Sequence, residues 1–160
     1  MRATDILRDD HATVKQMLAE LATLGPRDAD AREALVDKIA DALDVHTTLE
    51  EELFYPVLER VTAHVSTARV QHEDIDASLD DLAGRPANTA RWERSFNILR
   101  KAVLRHIDAE EMALFADAER LGDDELERLG ERLRERRETL RSSLGQRTLR
   151  KLRQIGRKTA

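Results

Sequence analysis

The sequence contains no cysteine. Disulfides, iron–sulfur clusters and thiol catalysis are thereby excluded, and any metal must be held by imidazole and carboxylate groups. Aromatic residues are scarce, with one Trp, one Tyr and three Phe, and so are the turn formers, with three Pro and six Gly. Few breakers mean few hairpins and long uninterrupted elements. No apolar run approaches the roughly 18 residues that mark a membrane-spanning helix, and the N-terminus has no signal-peptide apolar segment. These absences predict a cytoplasmic protein without a membrane span. What is present is 37% charged and rich in Ala, Leu, Glu and Arg over 160 residues, the composition of one helical domain with a sizeable core.

Charge is unevenly spread. Residues 141–160 carry Arg141, Arg147, Arg150, Lys151, Arg153, Arg157 and Lys158 and no acid. The other 20 basic side chains face 32 acidic ones, so the first 140 residues hold about −12. The basic tail reads first as a solubilising or self-docking segment, and second as a contact for an acidic partner, nucleic acid or a membrane surface. Nucleic acid is disfavoured, because the tail has no aromatic for base stacking and the acidic body repels phosphate.

Apolar residues recur in steps of three and four throughout, which predicts helices. The first spans 4–24 with Leu7, His11, Val14, Leu18 and Leu21 on one face, Thr4 as cap and Gly25-Pro26 as stop. The second spans 28 to about 59, with Leu35, Ile39, Ala42, Leu43, His46, Glu50, Leu53 and Val57 in line, kinked or ended at Pro56. The third covers 66–83 with Ala68, His72, Ile75, Leu79 and Leu82, and His64 just before it reads as surface. The fourth covers 88 to about 120, with Phe96, Leu99, Val103, His106, Glu110 and Ala113. Gly122 ends it, and a fifth runs from Asp123 to about Leu144 on Leu126, Leu129, Leu133 and Leu140, its Glu131–Arg137 stretch mainly a solvated face. Ser142 to Gly145 marks a boundary, after which the tail is loose or packs through Leu149, Leu152 and Ile155. The predicted fold is all-α: an up-down-up-down four-helix bundle over residues 1–122, an appended helix over 123–145 and a basic tail over 146–160.

One stretch organises the chain. His46-Thr47-Thr48-Leu49-Glu50-Glu51 recurs in form as His106-Ile107-Asp108-Ala109-Glu110-Glu111, each followed by a short apolar run. Four residues make slightly more than one helical turn, so His46 shares a face with Glu50, and His106 with Glu110. That face is the buried one. Burying a carboxylate without a partner costs several kcal/mol or keeps it protonated, and a metal removes that cost. His11 and His72 lie in the core faces of the other two helices, so four helices contribute one His each. Asp76, a turn after His72, can reach the same level. Tyr55 points away from His46 by ideal helical phase and reads as ordinary packing unless the chain kinks at Pro56.

These residues resemble the hemerythrin-like, or HHE cation-binding, family of non-haem di-iron bundles. The resemblance rests on Leu7-Arg8-Asp9-Asp10-His11, His46-x-x-x-Glu50-Glu51-x-Leu53-x-x-Pro56, Gln71-His72-Glu73 and His106-x-x-x-Glu110-Glu111, over residues 5–120 or so. With its fifth helix and basic tail, the chain looks most like the mycobacterial hemerythrin-like proteins. The resemblance implies His11, His46, His72 and His106 as terminal ligands, Glu50 and Glu110 as bridges, and two Fe ions with an oxo or hydroxo bridge. Manganese or zinc fit the same ligand types. It also implies a stress-protective protein with weak catalase or nitric oxide peroxidase-like activity rather than oxygen carriage. Oxygen carriers have a second His where Asp76 stands, and place the fourth-helix carboxylate where Glu111 stands, so Glu110 and Glu111 both remain candidates for the second bridge. Glu111, Asp76 and Tyr55 are candidates for additional ligands or for partners of the ligands.

The count favours turnover. Four imidazoles and two bridging carboxylates leave open positions on each iron for H2O2, nitric oxide or O2, and fewer His ligands than an oxygen carrier has leave more of them. The competing readings are an iron or oxygen sensor or a metal store without turnover, and a plain bundle without metal. The sequence leaves the oligomeric state open, as monomer or weak dimer.

Overall fold

The computed structural model describes the backbone of residues 1–158 and the side chains of residues 1–144. Among these residues it is all-α, with five helices and no strand. Helix α1 is Ala3–Thr23. It starts one residue before Thr4, which is buried inside the first turn, and the Asp5 carboxylate accepts the Arg2 N–H instead at 3.2 Å. Helix α2, Ala29–Leu49, passes into a π-helical turn, Glu50–Phe54, and a last α-helical turn, Tyr55–Leu58. Pro56 therefore does not end the helix; the irregular turn lies immediately before it. A turn over residues 59–64 absorbs the excess length of α2, and α3 is Val65–Ala83. His64 is exposed, as expected of a surface residue, and stands directly before α3 without a capping hydrogen bond from its side chain.

Helix α4 is Ala90–Ala109, with Thr89 accepting the Trp92 N–H at its start. It repeats the pattern of α2: a π-helical turn, Glu110–Leu114, then Phe115–Ala118. Gly122, at φ 85°, makes the reversal into α5, a conformation glycine adopts without strain. Helix α5 is Asp123–Lys158. It does not stop near Leu144: the backbone continues through Ser142–Gly145 as helix. Packing through Leu149, Leu152 and Ile155 lies outside the described side chains.

Helix α5 lies against α1 and α2 and buries Leu126, Leu129 and Leu133, as its periodicity predicts. Its charged stretch is less solvated than expected, since Arg136 pairs with Glu52 at 2.7 Å and Arg137 with Asp10 at 2.5 Å. Gly130 allows the approach to α1: a Cβ there would lie 2.2 Å from the Met1 carbonyl oxygen.

The core has two apolar clusters. One, toward the α1 N-terminus, gathers Ile6, Leu7, Leu49, Phe54, Leu58, Phe115 and the α5 leucines. The other gathers Val14, Leu18, Ile39, Leu43, Ile75, Leu99 and Val103 with Trp92 and Phe96. His11, His46, Glu50, His72, His106 and Glu110 fall between them in sequence on every helix, so they form a buried polar layer with apolar packing above and below.

Candidate metal centre

All six residues read as ligands from the sequence meet in that layer. Their donor atoms form two interlocking sets, His11–His46–Glu50–Glu110 and Glu50–His72–His106–Glu110, with the atoms of each set within 4.8 Å of one another. Both glutamates belong to both sets. Glu50 spans them: its Oε1 lies 3.3 Å from His46 Nε2 and its Oε2 lies 3.2 Å from His72 Nε2. Glu110 Oε2 lies 3.3 Å from His11 Nε2 and 3.4 Å from His106 Nε2. The glutamates are fully buried and no imidazole is more than 4% exposed.

The cluster fits a pair of cations better than it fits itself. Glu50 Oε1 and Glu110 Oε2 are buried without a hydrogen-bond partner, a state that is strongly unfavourable for a carboxylate. The Nε2 atoms also face each other in pairs, His11 with His46 at 3.2 Å and His72 with His106 at 3.1 Å. Four inward nitrogens beside two partnerless carboxylate oxygens are the donor set of a His/carboxylate metal site.

Each imidazole is oriented from outside by its other nitrogen, the usual device for fixing a metal-binding tautomer. His11 Nδ1 lies 2.9 Å from Glu111, His72 Nδ1 2.9 Å from Glu51, His106 Nδ1 3.1 Å from Gln71, and His46 Nδ1 3.4 Å from Asp10. Glu110 points into the cluster, whereas Glu111 stands behind His11. Asp76 is exposed and joins neither set. Glu51, like Glu111, is a candidate partner from sequence, whereas Asp10 and Gln71 stand in the motifs directly before a site His with no role assigned.

Tyr55, a candidate partner of the ligands that ideal helical phase turns away from His46, faces the cluster. It is fully buried in the cluster, with its hydroxyl 2.5 Å from Glu110 Oε1, 3.2 Å from Glu50 Oε2 and 3.1 Å from His72 Nε2. The π-helical turn causes this. Its i→i+5 bonding places residue 55 over residue 50, where α-helical counting would turn it away. The buried stripe shifts by one in consequence: Phe54, Tyr55 and Leu58 are buried, while Leu53 and Val57 are only partly so. In α4 the same turn buries Leu114 and Phe115 in place of Ala113.

The two halves correspond in their motifs. Asp10-His11 answers to Gln71-His72, and His46…Glu50-Glu51 to His106…Glu110-Glu111. Phe115 stacks on His11 at 5.5 Å as Tyr55 stacks on His72 at 5.4 Å. The symmetry is broken at two places, Tyr55 against Phe115 and Asp10 against Gln71.

Electrostatics follow from burial. It lowers His106 to about 3 and also lowers His46, so both rings are neutral and ready to coordinate. Burial and then the nearby Glu110 charge push Glu50 well above the carboxylate range. Burial opposes ionisation of Glu110 too, but contacts with His11, His106 and His46 outweigh it and bring Glu110 below that range. Of the two carboxylates, Glu50 therefore holds a proton more tightly than Glu110. Burial and the two glutamates raise Tyr55, which stays a neutral phenol.

Comparison with known proteins agrees with this geometry. Residues 2–118 match the family model described as Hemerythrin HHE cation binding domain. The uncharacterized protein Rv2633c of Mycobacterium tuberculosis is 28% identical over 145 residues, covering 89% of each chain, and the uncharacterized protein Mb2666c of Mycobacterium bovis matches equally. The crystal structure of a hemerythrin HHE cation binding domain-containing protein from Mycobacterium kansasii, a homologue of Rv2633c, superposes with a TM-score of 0.83 at 28% identity, covering 96% of this chain and 93% of that one. With its bundle, its buried His/Glu layer and a family match over most of its length, the chain belongs to the hemerythrin HHE cation-binding family.

Proposed function

We propose that the chain holds two iron ions, one in each His/Glu set with Glu50 and Glu110 common to both, and slowly turns over a small oxidant such as hydrogen peroxide or nitric oxide. The observation that carries this is the pair of interlocking sets sharing two buried glutamates whose Glu50 Oε1 and Glu110 Oε2 have no other partner. When bound, an iron pair supplies redox electrons and coordination positions that six protein ligands do not fill. Manganese or zinc would fit the same residues, and of these zinc alone would not support redox turnover.

The residues limit what reaches the centre. A cavity of about 60 Å³ between α3 and α4 is lined by Ala68, Gln71, Ala109, Ala113 and Glu110 itself. That is room for a few waters, which suits a diatomic or peroxide. The neutral imidazoles present Nε2 inward because their Nδ1 atoms are held from behind. Tyr55 keeps a proton on its hydroxyl 2.5 Å from Glu110 Oε1, the sole phenol at the centre.

The test is metal analysis and the ultraviolet–visible spectrum of protein produced with iron supplementation. About two irons per chain, a near-ultraviolet band, and consumption of hydrogen peroxide or nitric oxide with a spectral change are expected. Iron-loaded protein that neither consumes either oxidant nor changes its spectrum with them overturns the turnover reading. Substoichiometric iron, or zinc in its place, overturns the di-iron reading in favour of a store or sensor.

A further inference from the structure

We infer that Arg137, on the appended helix α5, is a positioning residue for the metal position on the His11–His46 side, acting through Asp10. The inference rests on the two-metal reading above. Asp10 Oδ2 accepts a hydrogen bond from Arg137 Nη2 at 2.5 Å, and the same oxygen lies 3.4 Å from His46 Nδ1. This is the longest of the four Nδ1 contacts.

The other three imidazoles are held differently. Glu51 also meets a cation, Arg69, but on its Oε2, leaving Oε1 to His72 alone. Gln71 is neutral, and both it and Glu111 are carried by the bundle helices. His46 alone is oriented by a carboxylate whose own direction is fixed by a side chain 127 positions away. The Asp10 and Arg137 side chains are 19% and 15% exposed, and a surface cavity of about 200 Å³ opens beside them, walled by Val14, Asp41, Ala42 and Val45. With Arg137 removed, Asp10 has water to turn to, and the other cation lining the cavity is Arg141, one turn further along α5. Arg137 Nε is buried without a partner, so the polar contact of this side chain is made at its terminal nitrogen.

The consequence is a centre whose two positions are held unequally, one by the four-helix bundle alone and one by the bundle together with α5. Partners of metal-ligating imidazoles typically alter metal affinity by about 10- to 100-fold when lost. The loss here should therefore fall on one of the two ions.

The experiment uses the full chain loaded with two equivalents of zinc, a redox-silent probe, and follows release to a chromogenic chelator. In Arg137→Ala one equivalent should leave about tenfold faster or more while the other keeps its wild-type rate. Asp10→Asn should accelerate the same single equivalent, and Arg137→Lys should restore most of the wild-type rate. Arg136→Ala, which removes only the neighbouring pair with Glu52, should release both ions as wild type does. Unchanged release from Arg137→Ala, slower release, or equal acceleration of both ions overturns the inference; the last result would mean that α5 merely clamps the bundle. Should Arg137→Ala melt at room temperature, the Arg137→Lys and Asp10→Asn arms decide alone, and no single-equivalent effect in Asp10→Asn overturns it. A wild-type chain that takes up fewer than two equivalents overturns the two-metal reading itself, and this inference with it.

Discussion

One hydroxyl separates the two halves of the centre. Tyr55 and Phe115 occupy matching places over His72 and His11, yet only Tyr55 can hydrogen-bond to both glutamates. Tyr55→Phe should destabilise the metal-stripped protein by about 1–3 kcal/mol, because it adds a partnerless Glu110 oxygen to a layer that already has two partnerless carboxylate oxygens. The loaded protein should lose less, and thermal melts with and without metal check the difference. The pH dependence is set by the same layer. His106 sits near 3 in the fold against 6.5 unfolded, and His46 is lowered as well, so their contribution to stability is present above about 6.5 and is lost toward pH 3. Glu110, lowered from 4.5, adds to the acid-side loss below that value. Glu50 has the opposite sign: its raised value stabilises the fold below about 4.5 and withdraws that stability as pH rises through the folded value. The stripped protein should melt highest near about pH 6.5, where the contribution of the two histidines is complete, and decline on both sides. Metal should abolish the alkaline decline, since a cation replaces the Glu50 proton. An alkaline limb that is flat without metal contradicts the assignment. At this scale the ligands were legible in the sequence because His and Glu at core positions are anomalous there. Tyr55 was not, because helical counting assumes 3.6 residues per turn and cannot see a wider one.

The two π-helical turns are the elements that make the site. Each begins at a cluster glutamate and brings an aromatic ring over it five residues later. A π turn is an α-helix with one residue too many, and Met112, 81% exposed, is the residue α4 can spare. Deleting Met112 should convert the turn to α-helix with Phe115 still over Glu110, and leave two metals bound. Deleting Ala102 instead would rotate everything beyond it by about 100° and should abolish binding. Metal content and circular dichroism of the two deletions check this; equal loss in both sinks it. The helix order was readable from periodicity and from Gly25, Gly84 and Gly122. The π turns were not, since nothing in the residue types of Glu50–Phe54 or Glu110–Leu114 marks a change of pitch. The continuation of α5 was not legible, because Ser142, Ser143 and Gly145 read as a break, whereas a long helix tolerates such residues at a modest cost in propensity.

On the scale of the whole molecule, the bundle is closed by α5, and the closure depends on a residue without a side chain. At Gly130 a methyl group would meet backbone, the Met1 carbonyl at 2.2 Å and Ala3 N at 3.1 Å, and neither can yield as a flexible side chain would. Gly130→Ala should lower stability by about 1–3 kcal/mol. At Gly84 the added Cβ would lie an ordinary 3.5 Å from Asp80 O, and the same substitution should fall within about 0.5 kcal/mol of wild type. Denaturant melts of the pair test whether α5 is seated as described. The layer between two apolar clusters was implicit in the spacing of the four histidines, but the seat of α5 was not, because a glycine inside a helix announces only weakened propensity. The correspondence between the halves reaches furthest. Every ligand of the centre comes from one motif used twice: a helix bearing an acid or amide before His, then a helix bearing His-x-x-x-Glu-Glu. A hairpin made from residues 1–60 and paired with its own copy about a dyad would present the same four imidazoles and two carboxylates. The ancestor of such a chain need have been only a homodimeric peptide, and a designer could begin there as well.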